Sequence, residues 1–259
     1  MWKRSPDPAG ILITFETHPK TRGLKKKWVR TRLVEQLRIA KERHHVSILN
    51  YLIQPDSAAV LVMPDSIEAL GKFVATPRSV VASEYARHRD GEGPFWKGKV
   101  RYTLILGSPS LRRCLEAMVV EPTRTGMVMH PCEYRWGGFA ELIGARRRYR
   151  LADYKRLREI YGCDSDRALH ATIAKRVDTF CMESSARLEN WAQYTAVGLE
   201  ALVNEAAKTM LESLRTVVAL DAIGKPDELW ALKTSARNRR YCMARALKRL
   251  ARMEPFPQA

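Results

Sequence analysis

Long apolar runs are missing from this 259-residue chain. Its longest aliphatic stretches are far too short to span a bilayer, so no membrane-spanning role is expected. Met1 to Gly10 carry charges and no apolar core, so no secretory signal peptide is expected either. Cysteine is scarce and unpatterned. Cys114, Cys132, Cys163, Cys181 and Cys242 are odd in number and widely spaced, which gives neither a disulfide framework nor a zinc knuckle. Internal repeats and low-complexity tracts do not stand out. Acidic residues are outnumbered, 28 against 45 Lys+Arg. A cytoplasmic, nucleoid-associated protein is the expectation these absences leave.

What is present is enough apolar residue for a core, 46%, and a strong basic excess of +17. The excess is uneven. Residues 1 to 150 hold 27 Lys+Arg against 14 Asp+Glu. Residues 151 to 232 hold 10 against 13, and residues 233 to 259 hold 8 against 1. Charge concentrated in the first part and the tail points to a polyanion, with phosphate neutralisation supplying salt-sensitive affinity. A generally basic protein with solvated side chains is the plainer alternative.

Gly10 to Thr17 is rich in β-branched and apolar residues and predicts a strand. His18 to Gly23 is a basic loop. Val29, Leu33, Leu37 and Ala40 recur at helical spacing and predict a helix over Trp28 to Ala40. Val46 to Ile53 and Ala58 to Met63 predict paired strands around the turn Gln54-Pro55-Asp56-Ser57. Ile67, Leu70, Val74, Val81 and Tyr85 form the next helical stripe. Pro77 predicts a kink there, or a fresh start capped by Thr76. After the turn-rich Arg89 to Pro94 come a strand over Tyr102 to Leu106 and a short helix over Leu111 to Val120. The order fits an α+β fold, a ferredoxin-like βαββαβ sandwich.

Beyond Tyr149 strand signals fade. Leu199, Val203, Ala206, Met210, Leu214 and Val217 predict one long amphipathic helix. Gly224-Lys225-Pro226 breaks it, and a basic helix from about Asp227 to Arg252 closes the chain. The expected division is a nucleic-acid-binding domain over 1–150 and an all-α C-terminal region over 151–259 with a basic tail.

Five segments, in order and spacing, resemble the REP-associated tyrosine transposases, relatives of the single-tyrosine insertion-sequence transposases. Tyr51 to Val62 is similar to the family's strand, Pro-Asn turn and metal strand. Ser83-Glu84-Tyr85-Ala86, followed by Gly93-Pro94-Phe95-Trp96-Lys97-Gly98-Lys99-Val100-Arg101, resembles a helix bearing the nucleophilic tyrosine and then a glycine and an aromatic-tryptophan-basic run. Met118 to Val128 resembles Tyr-Ile-x-x-Asn-Pro-Val-Arg-Ala-Gly. Pro131 to Gly138 resembles Pro-x-x-Tyr-x-Trp-Ser-Ser. Trp191 to Gly198 is similar to a Trp…Ala-Val-Gly element of larger members. The resemblance spans most of residues 10 to 200.

The family carries His-hydrophobic-His where this chain has Ser57 and Ala59. Asp56 and Glu121 stand where it has asparagines. The resemblance implies attack of a tyrosine hydroxyl on a phosphodiester of single-stranded DNA. A divalent metal held by the two histidines polarises the phosphate. Ser57 offers a weak oxygen ligand and Ala59 none, so the ancestral metal is expected to be lost, with no cofactor in its place. Asp56 is as well read as an Asx turn. The resemblance puts the nucleophile position at Tyr85, as a vestige, because a phenol of pKa about 10 has little activation without the metal. An ordinary packed tyrosine is the alternative. His44 and His45 are adjacent and cannot readily chelate together from a strand. His18, His88, His130 and His170 show no ligand spacing.

Basic and aromatic residues interleave at the expected binding positions. Arg22 and Lys25, Lys26 and Lys27 follow the first strand. Trp96, Lys97, Lys99 and Arg101 form a second set, and Arg124 belongs to the third motif. Arg135 and Trp136 lead to Arg146, Arg147, Arg148 and Arg150. Cations would grip phosphate and tryptophans would stack on unpaired bases, with core packing of Trp96 and Trp136 the even alternative. The expected protein binds structured single-stranded (hairpin) DNA without cutting it, as a homodimer by resemblance, with a protein partner on its C-terminal helices. The alternatives are an active nickase with a rebuilt metal site and an RNA-binding subunit of a larger machine.

Overall fold

β1 (Ala9–Thr17) sends alternate side chains to opposite faces of a sheet, and both faces are covered. Ile11, Ile13 and Phe15 enter one core, while Leu12 enters the other. The structure, a computed structural model, describes residues 9–21, 23–88 and 93–183, then 191, 193–194, 196–198, 200–207, 216–219 and 230–233. β2 (Val46–Ile53), β3 (Ser57–Pro64) and β4 (Trp96–Leu106) pair antiparallel with β1 or with each other. The spatial order β2-β3-β1-β4 follows a β-α-β-β-α-β chain order, and the fold is α+β.

α1 (Lys27–His44) buries Val29, Leu33, Leu37 and Ala40, the stripe read from the sequence. It ends at His45, whose φ of 52° is left-handed. α2 (Ile67–Arg87) starts where Ser66 accepts a hydrogen bond from Ala69 N at 3.0 Å. It runs through Pro77, so no fresh start capped by Thr76 occurs. A helical proline costs about 3 kcal/mol. Phe73, Val74 and Val81 on either side of it are buried in one core, and Arg32 of α1 chelates Glu84 of α2 at 2.6–3.0 Å. Burial of that helical face outweighs the lost bond.

The other face carries α3 (Ser108–Arg124), α4 (Phe139–Leu142), α5 (Tyr154–Tyr161) and α6 (Asp166–Glu183). α3 exceeds its predicted span at both ends, starting on Pro109 in its first turn and absorbing Pro122 near its end. Residue 150 does not separate two cores. Leu157, Ile160, Leu169, Ile173 and Val177 pack with Leu12, Leu61, Ile105 and Leu115.

The C-terminal region is not all helical. β5 (Ala196–Gly198) pairs parallel with β4, and β7 (Trp230–Lys233) and β6 (Thr216–Ala219) extend the same sheet to seven strands. Of the expected long helix the described residues show α7 (Glu200–Ala207), and 208–215 lie outside them. Thr216-Val217-Val218 is β-branched throughout and pairs as a strand. The expected basic helix from Asp227 gives way to β7 over 230–233, and 234–259 lie outside the described residues.

The outer edge of β2 is closed by the chain that follows α3. Ile53 N donates to Trp136 O (2.9 Å), Gly138 N to Tyr51 O (2.9 Å) and Asp153 N to Ile48 O (2.8 Å). Gly138 approaches so closely that a Cβ there would lie 2.3 Å from Asn50 Oδ1. Such coverage satisfies an edge that would otherwise be free to pair. Among the described residues no helix is long and apolar enough to cross a membrane.

Candidate nucleic-acid interface

Alternation along β1 and β3 decides which side chains meet. Phe15 and Ala58 face the α1/α2 core, so Glu16 and Thr14, opposite Ser57 and Ala59 in register, face the α3 side. Here the sheet ends in an open cleft of about 810 Å³. Its floor includes Thr14, Glu16, Ser57 and Ala59, and the end of α3 supplies Glu121 and Thr125. Lys25, Lys97 and Arg101 line it too, with His18 and Asp56.

The cations arrive through a bulge. Thr14 faces Arg101 and Glu16 faces Lys97, so four residues of β4 span what two of β1 span. Gly98 sits within the excess at φ +58°, a conformation glycine adopts without strain. Both cations consequently reach one carboxylate. Lys97 Nζ lies 3.0 Å and Arg101 Nη2 3.1 Å from the Glu16 oxygens. All three side chains are at least one-third exposed. Such surface pairs contribute about 0–1 kcal/mol and rearrange readily.

Ser57 is engaged locally. Its hydroxyl lies 3.3 Å from Gln54 Oε1 and 3.1 Å from Asp56 Oδ1, inside a turn closed by Gln54 N donating to Ser57 O at 2.8 Å. The Asp56 carbonyl accepts from Thr17 N (2.7 Å) and Thr17 Oγ1 (3.1 Å). Among the described residues no three His, Cys, Asp or Glu side chains form a group suited to a metal ion.

Tyr85 does not face this cleft. It sits in the α1/α2 core, 5% exposed, across the sheet from Ser57 and Ala59. Its hydroxyl donates to Thr21 O at 2.5 Å, and its ring meets Phe95 edge-on at 4.8 Å. Phe95 O in turn accepts from His18 N at 2.8 Å. The phenol therefore pins the basic loop from behind and stands away from any phosphate in the cleft. α3, and not α2, is the helix that borders Ser57 and Ala59.

The remaining candidates divide in two. Trp96 is packed, its Nε1 donating to Arg78 O at 2.9 Å and its ring edge-on to Phe15 and Phe95. Trp136 carries the Arg30 and Arg135 guanidiniums over its ring at 5.0 and 5.3 Å. Neither indole is presented as a bare stacking surface. Arg124 lies over the Phe180 ring at 5.0 Å, and burial pushes its pKa down. Arg146 is structural as well. It pairs with the fully buried Glu141 at 2.9 Å, donates to Gly137 O at 3.0 Å, and hydrogen-bonds the Tyr51 hydroxyl. Glu141 also accepts from Leu151 N (2.8 Å), Ala152 N (3.1 Å) and Tyr51 Oη (3.1 Å).

Lys26, Lys27, Lys99, Arg135, Arg147, Arg148 and Arg150 are exposed. Arg150 lies over the Tyr154 ring at 4.9 Å. Arg22 lies outside the described residues. The sequence reading passed over one residue, Trp28, which is 38% exposed at the start of α1. A tryptophan at a helix start inside a run of lysines was the available signal.

No protein-family model matches this chain, and no curated protein matches it. Among solved structures, a REP-associated tyrosine transposase bound to a REP hairpin is similar, with a TM-score of 0.41 and 11% identity over 58% of this chain and 89% of that one.

Proposed function

We propose that this protein binds structured single-stranded DNA, a hairpin with unpaired flanks, in the cleft at the end of the sheet, and that it does not cut it. The reading treats β1 to β4 with α1 and α2 as a ferredoxin-like unit that presents the cleft. One observation carries it: Lys25, Lys97 and Arg101 converge beside Ser57 and Ala59. The cations suit phosphate. The serine and alanine offer no imidazole pair, and the phenol taken for the nucleophile lies behind the sheet. A strand laid here meets charge without an activated hydroxyl.

Three phosphate contacts to a single strand give a log–log salt slope of about −2. Replacing Lys25, Lys97 and Arg101 by alanine together is expected to abolish most of that slope in fluorescence anisotropy titrations of a labelled hairpin. A variant that keeps the wild-type slope removes the cleft from the proposal. End-labelled hairpin incubated with Mg²⁺ or Mn²⁺ is expected to stay intact. A nicked product or a covalent protein–DNA adduct establishes an active nickase instead. Unlabelled RNA of the same sequence is expected to compete less well than the DNA, and the reverse order makes this an RNA-binding protein.

A further inference from the structure

The basic loop turns the edge of the sheet, and its far end carries an aromatic side chain that the cleft does not use. Lys25 lines the cleft, Lys26 N closes the turn on Gly23 O at 3.0 Å, and α1 begins at Lys27. Trp28 follows, 38% exposed. Its ring is stacked on Tyr85, with centroids 6.3 Å apart and planes 19° apart, and it meets His88 at 5.0 Å. Tyr85 is itself fixed by its bond to Thr21 O and by Phe95. Lys26 Nζ lies 5.2 Å from the same phenol ring.

We infer that Trp28 is a stacking platform for an unpaired nucleobase of single-stranded DNA that leaves the cleft around Lys25, Lys26 and Lys27. The inference rests on the reading of the cleft as a DNA site and names the residue that takes the flanking base. The geometry supplies what such a contact needs: a π surface held rigid from below, open to solvent, with ammonium groups beside it for the backbone. Glu84, the residue before Tyr85 on α2, is chelated by Arg32, so its charge is already matched and the three lysines remain for phosphate. Lys25 and Trp28 lie three residues apart, on either side of the extended Lys26 that precedes α1. Trp96 and Trp136 cannot share the role, because their rings are already covered.

The test compares a blunt hairpin, the same hairpin with a short unpaired flank, and that flank carrying abasic sites. Trp28→Ala is expected to weaken binding of the flanked hairpin by about tenfold, the worth of one base stack, and to leave the blunt hairpin within about twofold. Trp28→Tyr keeps a ring and retains most of the affinity. Trp28→Leu keeps an apolar cover over Tyr85 without a π face and behaves like the alanine variant. Abasic flanks bring the wild type down to the Trp28→Ala level. Equal weakening of blunt and flanked hairpins overturns the inference, as does unchanged binding of the flanked hairpin or full rescue by leucine. Failure of the wild type to bind either hairpin removes the cleft reading, and with it this one.

Discussion

Glu16 neutralises the cleft, and removing its charge gives the sharpest test of what the cleft holds. Its carboxylate touches both Lys97 and Arg101. A phosphate seated on those cations would sit roughly 6 Å from it, where two like charges repel by about 0.7 kcal/mol in water and about 3 kcal/mol at an effective dielectric of 20. Glu16 is 35% exposed, so the lower part of that range applies. About 1 kcal/mol corresponds to roughly fivefold in affinity. Glu16→Gln keeps one acceptor oxygen, enough for one of the two cations, and costs at most about 1 kcal/mol of stability. At low salt the variant is expected to bind hairpin DNA about fivefold tighter, with a salt slope steeper by about 0.7 for the additional phosphate. The gain shrinks as the Debye length falls below about 8 Å. Anisotropy titrations across a salt series read both quantities. Unchanged affinity and slope would refute the cleft as the phosphate site. Weaker binding would show that the carboxylate itself orients the ligand.

Tyr85→Phe removes the bond to the Thr21 carbonyl and is expected to cost about 1–2 kcal/mol in urea denaturation, with hairpin binding weakened only as the basic loop loosens. A DNA adduct formed by the wild type and lost in this variant would return Tyr85 to chemistry. Glu141→Ala removes the carboxylate from Arg146, which keeps Gly137 O, and from the buried Leu151 and part-buried Ala152 N–H groups, and is expected to destabilise by about 2–4 kcal/mol; a loss under 1 kcal/mol refutes its role in fixing the edge of β2. Arg32 holds the Glu84 carboxyl below its ordinary 4.5, chiefly through their hydrogen bonds. A depressed carboxylate pKa contributes stability above the unfolded value and loses it as pH falls through the folded one. Arg32→Met is therefore expected to be less stable than wild type at pH 7, by about 1 kcal/mol after solvent screening, and the gap is expected to close as pH drops below about 4.5. A gap that persists at pH 2.5 assigns the loss to packing.

The first 125 residues were largely legible because their periodicities are long and unambiguous. The Val29–Ala40 stripe specifies one buried face, and the apolar run Ala58 to Met63 beyond a Pro-Asp turn specifies a strand buried on both. The α2 stripe placed Tyr85 with Leu70, Val74 and Val81, which face inward. Treating it as a nucleophile came from motif likeness, which ignores which way a helix faces. Ser57 and Ala59 share one face of the sheet, with Ala59 only 5% exposed, and the helix end beside them belongs to α3. Its body packs Leu111, Leu115, Met118 and Val119 into the core, and the cleft is lined by Glu121 near its end and Thr125 just beyond it. The C-terminal strands were missed for a different reason. β5 is three residues long and β6 four, too short for a period to declare itself, and Val217 also completed a helical stripe. Their identity is fixed by pairing partners far away in the chain, which no local pattern carries.

The parallel seam between Leu104–Leu106 and Ala196–Gly198 makes the later strands a cover for the flank of β4. Cutting the chain at residue 150, where composition suggests a convenient division, would bare those backbone amides and carbonyls and strip α5 and α6 from the opposite hydrophobic layer. A fragment of that kind is expected to self-associate through its open flank. Studies of the basic cleft are for that reason better served by all 259 residues than by the first 150.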